Sequence, residues 1–302
     1  MQGPSQDSKL PTPVLLALLA QAAIAGGTHL AAKRATMDFG PVPLLAVRLV
    51  LAALAFAVLL PLMPPPRLPP RKTWLWLLGF GVIAGPVNQG LFLYGLSTSR
   101  ATHAALLYAL TPIGVYLVGL ALKRERTSPR RLAGIAVAFA GVVVLLLGRG
   151  LSEAKGPLVG DLFILGAVAA WVVWTTESRR FSAEYGGVRT AAWSIIAAGL
   201  VMVPVAPFLV TRAGLEQVTA VGWGCLAWLV LLTSVVSYAL WNYALARAEA
   251  SQVAVFANLQ PAATAIAAWL ILGEPLVWEV WVGGGLVLAG VRLAQGGRRS
   301  LR

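Results

Sequence analysis

Apolar runs of about twenty residues follow one another along nearly all of this 302-residue chain. Such a run is long enough to cross a hydrocarbon layer of roughly 30 Å as an α-helix. Lipid offers the backbone no hydrogen bonds, so these runs are expected to be helical. We predict ten of them, at residues 13–32, 41–62, 74–96, 102–122, 130–148, 158–177, 190–210, 220–243, 252–272 and 276–295. The sequence therefore predicts an all-α integral membrane protein with ten transmembrane helices.

Composition excludes several other classes of protein. Hydrophobic residues make up 58% of the chain and charged residues 12%, against about 25% charged in a soluble domain. The single cysteine, Cys225, cannot form an internal disulfide, and with two histidines it makes no metal site. No Ser/His/Asp set or glycine-rich phosphate loop indicates catalysis. We therefore expect a protein that is not an enzyme and that needs no metal and no cofactor.

The net charge of +13 indicates where the loops lie. Basic loops orient a membrane protein and contact anionic lipid headgroups. No basic run is interleaved with aromatics in the way typical of nucleic-acid binding, so we expect membrane lipids and not nucleic acid as partners. Placing the N-terminus inside puts 17 of the 24 Lys and Arg residues on the cytoplasmic side and 6 outside, with Arg48 within a span. This asymmetry predicts that both termini are cytoplasmic.

The second half of the chain repeats the first at a shift of 149 residues. The shift places Pro112 on Pro261, Glu125 on Glu274, Gly134 on Gly283, and Gly141 on Gly290. Each copy holds five predicted spans, an odd number, so the two copies must cross the membrane in opposite senses. Inverted repeats of this kind enclose a substrate site in many transporters. The repeat therefore predicts a transporter that works by alternating access.

The sequence resembles the EamA family of the drug/metabolite transporter superfamily. The motifs that carry the resemblance are Ala46-Val47-Arg48, Leu110-Thr111-Pro112, Gly160-Asp161, Leu259-Gln260-Pro261, Leu272-Gly273-Glu274 and Ala289-Gly290-Val291. It covers two copies of the family's domain, at residues 13–148 and 158–295. The resemblance implies that spans one, three, four, six, eight and nine line a central cavity. It implies little about the substrate, because members of this family move very different small molecules.

Polar and aromatic groups deep in these spans are candidates for substrate binding. They are costly in lipid unless they face the bundle interior or a water-filled cavity. Gln89 and Phe92 share a helix face, and the repeat places Tyr238 and Trp241 at the same positions. The substrate-binding candidates are His29, Asn88, Gln89, Phe92, Tyr108, Trp171, Trp174, Tyr238, Trp241 and Asn258. For His29 and the two asparagines, hydrogen bonding between helices is the alternative.

Other polar positions have structural interpretations. Pro112 and Pro261 lie within spans, where each removes a backbone hydrogen bond, and we expect a hinge or kink at both. Glu125 and Glu274 are expected to clamp loops. Arg48 starts about 10 Å into its span by helix rise. We expect it to anchor the helix by reaching the interface, with pairing to Asp38 or attraction of an anionic substrate as alternatives.

Together these features predict an exporter of amino acids or related amphipathic compounds in a bacterial plasma (inner) membrane, acting as a monomer or homodimer on a small-molecule substrate. One alternative is a sugar-phosphate or nucleotide-sugar exchanger, which would need deep basic residues. Another is a membrane binding protein without transport. The acidic residues all lie in loops or near span ends, and only Glu177 could reach inward. We therefore expect facilitated transport in preference to proton antiport.

Overall fold

The computed structural model describes residues 10–63, 70–122, 129–147, 156–272 and 277–295. Every regular element in these ranges is a helix. Six helical stretches are long and apolar enough to cross a membrane: Thr12–Phe39, Pro41–Leu62, Thr73–Thr98, Ala101–Ala121, Leu158–Tyr185 and Ala220–Leu245. Leu132–Gly141 and Gly187–Met202 are shorter apolar helices. Each of the ten predicted spans coincides with helix, while a count of ten crossings stays a prediction.

In the part of the first repeat that the structure describes, the chain forms seven α-helices. They are α1 (Thr12–Phe39), α2 (Pro41–Leu59), α3 (Arg71–Val82), α4 (Asn88–Thr98), α5 (Ala101–Tyr108), α6 (Thr111–Ala121) and α7 (Pro129–Leu147). The α1 helix extends beyond its predicted end at residue 32, because helix formation does not require an apolar side chain where the helix leaves the lipid. Arg34 and Asp38, four residues apart, pair along this extension.

The described residues of the second repeat form nine α-helices, several of them short. They are α8 (Gly156–Tyr185), α9 (Gly187–Met202), α10 (Ala206–Leu209), α11 (Arg212–Glu216), α12 (Ala220–Ala227), α13 (Tyr238–Leu245), α14 (Ala250–Ala254), α15 (Gln260–Ala267) and α16 (Trp278–Gln295). The span predicted to run to residue 210 is helical only to Met202 before it is interrupted. Pro204 and Pro207 follow, and proline disrupts an α-helix.

Equivalent glycines turn the chain at the same point in each repeat. Gly40 (φ 75°) separates α1 from α2, and Gly186 (φ 91°) separates α8 from α9. These two glycines lie 146 residues apart, the shift that aligns the first helix of each repeat. A positive φ is strained for any residue with a side chain. The tight reversals at these points therefore depend on glycine in both halves.

Reciprocal contacts show how the repeats are related. A Cβ on Gly141 of α7 would meet the Gly283 carbonyl oxygen at 2.6 Å, and a Cβ on Gly290 of α16 would meet the Gly134 carbonyl oxygen at 2.5 Å. Since Gly134 and Gly141 are the repeat equivalents of Gly283 and Gly290, this is a two-fold contact. The early part of each helix meets the late part of the other, so α7 and α16 are antiparallel. A two-fold axis that makes equivalent helices antiparallel runs across them, which is the geometry of an inverted repeat.

Helix irregularities also occur in both halves. A π-helical segment at Ile83–Val87, which contains Pro86, precedes α4. Another π-helical segment at Trp228–Ser237 precedes α13. Shifting the first of these by 149 residues places it inside the second. Breaks of this kind inside spanning helices are tolerated where the backbone lines a cavity or is buried in protein, and both precede residues that face the central cavity.

The outer surface of the bundle is apolar. Leucines such as Leu75 and Leu270 expose 73% and 66% of their surface, respectively. The tryptophans predicted to act as interface anchors are also exposed: Trp74, Trp76, Trp223, Trp278 and Trp281. Such a surface suits contact with lipid and its interface. Glu125 and Glu274, predicted to clamp loops, lie outside the described residues.

Candidate functional site

A cavity between the two repeats contains about 550 Å³ of space free of protein atoms, a volume that includes its opening to the outside. Eight of the predicted binding residues line it: His29, Asn88, Gln89, Phe92, Tyr108, Trp171, Tyr238 and Trp241. The remaining lining residues are Gln21, Ala25, Thr28, Arg48, Thr233, Ser237, Ala257 and Gln260. The cavity is therefore built from both halves of the chain.

A chain of hydrogen bonds crosses the cavity wall from one repeat to the other. The Asn88 side-chain amide donates to the Tyr108 hydroxyl at 3.0 Å and to the Ala167 carbonyl at 2.7 Å. The Gln89 amide donates to Asn88 Oδ1 at 2.8 Å and to the Tyr238 hydroxyl at 2.9 Å. These buried amides are thus held in fixed orientations. Asn88 combines its two predicted roles, since it borders the cavity and also bonds a neighbouring helix.

Three aromatic rings form another part of the wall, and a fourth ring packs behind them. Trp171 lies 5.4 Å from Tyr238 and 5.5 Å from Trp241 between ring centroids. Trp174 is fully buried behind them, 4.8 Å from Trp171 and 5.2 Å from Tyr238. It was predicted to bind substrate, but it does not line the cavity. The spacing of three residues places both tryptophans on one side of α8, and packing then separates the lining ring from the supporting ring.

The α1 helix contributes polar groups to the opposite part of the lining. The Gln21 amide donates to Ser237 Oγ at 3.3 Å, and Thr28 Oγ1 lies 2.7 Å from Thr233 Oγ1. His29 Nδ1 lies 3.0 Å from the Ala25 carbonyl. A carbonyl can only accept, so Nδ1 carries a hydrogen, and Nε2 of the neutral ring is an acceptor. His29 also meets Phe92 and Tyr108 edge-on, at 5.6 and 5.7 Å.

Arg48 was expected to reach the membrane interface, but its side chain is buried inside the bundle. Only 1% of its surface is exposed, and it borders the cavity. Its Nε donates to Ser234 Oγ at 3.2 Å, while Nη1 has no hydrogen-bond partner among the described residues. Asp38, one predicted partner, bonds Arg34 and Thr219 instead. The expectation failed because the rotation of α2, which sequence does not show, turns this side chain inward.

Pro112 and Pro261 each lie in the first turn of an α-helical segment that follows an interruption of the α-helix. The chain leaves α-helix between Tyr108 and Thr111, and Pro112 lies in the first turn of α6. Pro112 has no N–H group to donate to the Tyr108 carbonyl. The Thr111 hydroxyl donates to that carbonyl at 2.6 Å instead. Pro261 follows a 3₁₀ segment at Val255–Leu259 and lies in the first turn of α15. The break is symmetric, and whether it flexes stays a prediction.

Asn258 is the other candidate that does not line the cavity. It is half-buried within the 3₁₀ segment, and its Oδ1 has no hydrogen-bond partner among the described residues. Gln260, two residues further along the chain, lines the cavity. The 3₁₀ geometry changes which residues share a face, because it has three residues per turn.

The sequence matches the EamA-like transporter family at residues 12–147 and again at 158–295. The chain belongs to this family. It is therefore a multi-pass membrane protein of the drug/metabolite transporter superfamily. The family's two-fold repetition agrees with the reciprocal glycine contacts. A protein of known crystal structure shares the fold, with a TM-score of 0.67 and 19% identity over 95% of this chain and 99% of that chain.

Named relatives of this family member are transporters. The threonine/homoserine exporter RhtA of Escherichia coli K12 is 29% identical over 90% of this chain and 88% of its own length. A probable terminal-alkyne amino-acid exporter of Streptantibioticus cattleyicolor is 28% identical over 70% of this chain and 69% of its own length. The uncharacterized transporter YyaM of Bacillus subtilis is 26% identical over 75% and 74%, respectively.

Six polar residues that line the cavity of this family member were not among the binding candidates: Gln21, Thr28, Arg48, Thr233, Ser237 and Gln260. Arg48 was expected to anchor its helix at the interface, with attraction of an anionic substrate as one alternative. For Arg48 a signal was present, since a charged residue two turns inside a span is expected to face protein or a water-filled space. For Gln21 the same depth argument applies.

Proposed function

We propose that this protein exports amino acids or related amphipathic metabolites from the bacterial cytoplasm by alternating access. The observation that carries the proposal is the cavity lined by both repeats, with fixed amides, aromatic rings and unpartnered polar groups. Two relatives are named as amino-acid exporters, which supports the substrate class. We further propose ten crossings of the plasma membrane, with both termini in the cytoplasm.

The repeat geometry suggests how the cycle proceeds. Two halves related by an axis across the helices can exchange conformations, and each exchange opens the shared site to the other side. The contacts between α7 and α16, with backbones in close approach, supply a rigid link between the halves. The breaks before Pro112 and Pro261 are positions at which the α-helix is interrupted in both halves. The proposed movement is a rocking of the segments around the cavity.

Efflux from liposomes tests the proposal. The purified full-length protein is reconstituted in liposomes loaded with a mixed amino-acid pool, and loss of each compound is followed by mass spectrometry against protein-free liposomes. Selective, saturable loss of a subset is the expected result. No selective loss from demonstrably folded protein would contradict amino-acid export.

Two tryptophan variants provide matched controls for this assay. Trp241→Leu removes a ring from the cavity wall, and we expect slower efflux with a raised KM. Trp278→Leu removes a ring that is 59% exposed on the outer surface, and we expect efflux close to that of the wild type. Equal effects of the two substitutions would argue that the cavity is not the transport site.

A second candidate is exchange of phosphorylated sugars or nucleotide sugars. The buried Arg48 at the cavity is the observation that favours an anionic substrate. The same liposomes, loaded with inorganic phosphate and sugar phosphates, test it. Phosphate-dependent exchange in place of amino-acid efflux would support this second candidate.

A further inference from the structure

Arg48 lies at the cavity as a buried charge, with no carboxylate paired to it among the described residues. Guanidinium groups stay protonated in proteins, and Arg48 is 1% exposed. Among the described residues that line the cavity, none is acidic. Among the described residues, the guanidinium has one hydrogen bond, from Nε to Ser234 Oγ at 3.2 Å. A buried charge is costly unless it is paired and hydrogen-bonded, and no described residue that lines the cavity offsets this one.

The repeat does not require a basic residue at this position. The shift of 146 residues, which aligns Gly40 with Gly186, places Ser194 of α9 opposite Arg48 of α2. A Cβ on Gly199 would contact Ala53 Cβ, and these positions are also 146 residues apart, so α2 and α9 pack against each other through equivalent residues. The α9 helix thus packs against α2 with Ser194 at the position where α2 has Arg48. The packing of these two helices therefore does not need an arginine at both equivalent positions.

Residues that line the cavity carry further unpartnered groups of complementary chemistry. Trp241 Nε1, a donor, and Gln21 Oε1, an acceptor, are buried without hydrogen-bond partners among the described residues. Arg48 Nη1 is a second unpartnered donor. Such groups in a native structure call for an explanation, and a bound molecule is one. Donors that include a fixed cation suit a carboxylate, and an acceptor suits an ammonium or hydroxyl group.

We propose that Arg48 receives the carboxylate of the transported molecule, so that the cavity takes zwitterionic or anionic amphipathic metabolites and rejects organic cations. This inference rests on the proposed function for its substrate, and it adds which charge on the substrate is recognised. Arg48 forms a charge-assisted hydrogen bond to the carboxylate. The aromatic wall of Trp171 and Trp241 contacts the apolar part of the substrate. A substrate that has an ammonium group but no carboxylate is repelled by the positive charge of Arg48, because it carries no negative charge to pair with it.

Binding is measured separately from transport by following the thermal unfolding of the full-length protein in detergent through its tryptophan fluorescence. The probes are the twenty protein amino acids, the matched amines that lack only the carboxylate, and inorganic phosphate. A ligand that binds the native state raises Tm as its concentration increases. We expect at least one amino acid to raise Tm saturably, and its matched amine to have no effect at the same concentration.

Three variants test the role of Arg48. Arg48→Gln is expected to weaken amino-acid binding on the order of 10- to 100-fold, as loss of a hydrogen bond to a charged group predicts. Arg48→Lys keeps the charge and is expected to restore part of the affinity. Arg212→Gln removes an arginine whose side chain is 93% exposed and is expected to bind as the wild type does. Without ligand, Arg48→Gln is expected to have an unchanged or higher Tm, whereas loss of a purely structural arginine lowers it.

The outcomes separate this inference from the proposed function. Equal stabilisation by an amino acid and its matched amine overturns the inference, as does unchanged affinity in folded Arg48→Gln. The inference is also overturned if no carboxylate in the panel produces a rise in Tm that depends on Arg48. If inorganic phosphate raises Tm more than any amino acid does, the group that Arg48 binds is a phosphate and not a carboxylate, and the inference is overturned. Failure of the proposed function is a different result, namely carboxylate-dependent stabilisation without efflux from liposomes.

Discussion

The side-chain amide of Gln89 donates a 2.9 Å hydrogen bond to the hydroxyl of Tyr238, and these residues hold the same position in the two repeats, 149 residues apart. A residue can meet its own equivalent only near the two-fold axis. The axis therefore passes through the wall of the cavity. Movement of one repeat relative to the other acts directly on this contact.

A double-mutant cycle measures the coupling between these two side chains. Gln89→Leu and Tyr238→Phe each remove the bond, so together they cost less than the sum of their separate effects. The expected coupling is about 0.6 kcal/mol, and up to about 1.7 kcal/mol, as for other hydrogen bonds between membrane helices. It is read from the free energy of unfolding in bicelles. As a control, Gln89→Leu is combined with Thr264→Val, whose hydroxyl bonds the Gly26 carbonyl elsewhere, and this pair is expected to be additive.

The contact between α7 and α16 predicts opposite effects for two glycines. A Cβ on Gly141 would meet backbone atoms of α16 at 2.6 and 2.7 Å, so Gly141→Ala is expected to lower the free energy of unfolding by about 1–3 kcal/mol. Gly285 has no atom within 4 Å of such a Cβ among the described residues. Gly285→Ala is therefore expected to be neutral or stabilising by up to about 1 kcal/mol. A stable Gly141→Ala variant would contradict the close approach of the two helices.

A buried carboxylate near the start of α8 holds two neighbouring segments. Asp161 is fully buried, accepts a hydrogen bond from Ser99 Oγ and lies 3.1 Å from His103 Nδ1. Asp161→Asn replaces one accepting oxygen by a donor, and we expect it to lower the free energy of unfolding by about 1–3 kcal/mol. Glu216→Gln, in an exposed pair with Arg212, serves as control and is expected to change stability little. Equal stabilities would show that the buried pair does not hold these segments.

The proposed orientation predicts which side chains a membrane-impermeant maleimide reaches. In a Cys225→Ala background, Arg212→Cys is expected to react in intact cells, because its loop lies outside. Arg247→Cys is expected to react only after the membrane is permeabilised. Both positions are exposed, so accessibility within the protein does not limit the reaction. The reverse pattern would show that the termini lie outside.

Facilitated transport predicts that a pH gradient does not drive accumulation. Glu177 is half-buried and does not line the cavity. Efflux from liposomes is therefore expected to run at similar rates with and without a pH gradient, in the wild type and in Glu177→Gln. Accumulation driven by the gradient in the wild type would show proton coupling, and its loss in Glu177→Gln would assign the coupling to this carboxylate.

The repeat made part of the site predictable from sequence. Gln89 and Phe92 face the cavity with their equivalents Tyr238 and Trp241, because residues in equivalent positions near one axis face the same space. Trp174 and Asn258 were predicted with them and lie outside the lining. Trp174 packs behind Trp171, and a 3₁₀ segment shifts the face on which Asn258 lies. Both outcomes depend on local packing and helix type.

The sequence alone determined the helical class, the duplication and the family, because lipid leaves the backbone few alternatives to helix and because Pro, Glu and Gly recur at fixed spacing. Only the tertiary structure decided that Arg48 and Gln21 face the cavity. A helix surrounded by lipid on one side and by packed helices on the other is apolar on both sides. Its hydrophobic periodicity therefore does not show which way it is rotated, and that rotation places each polar side chain.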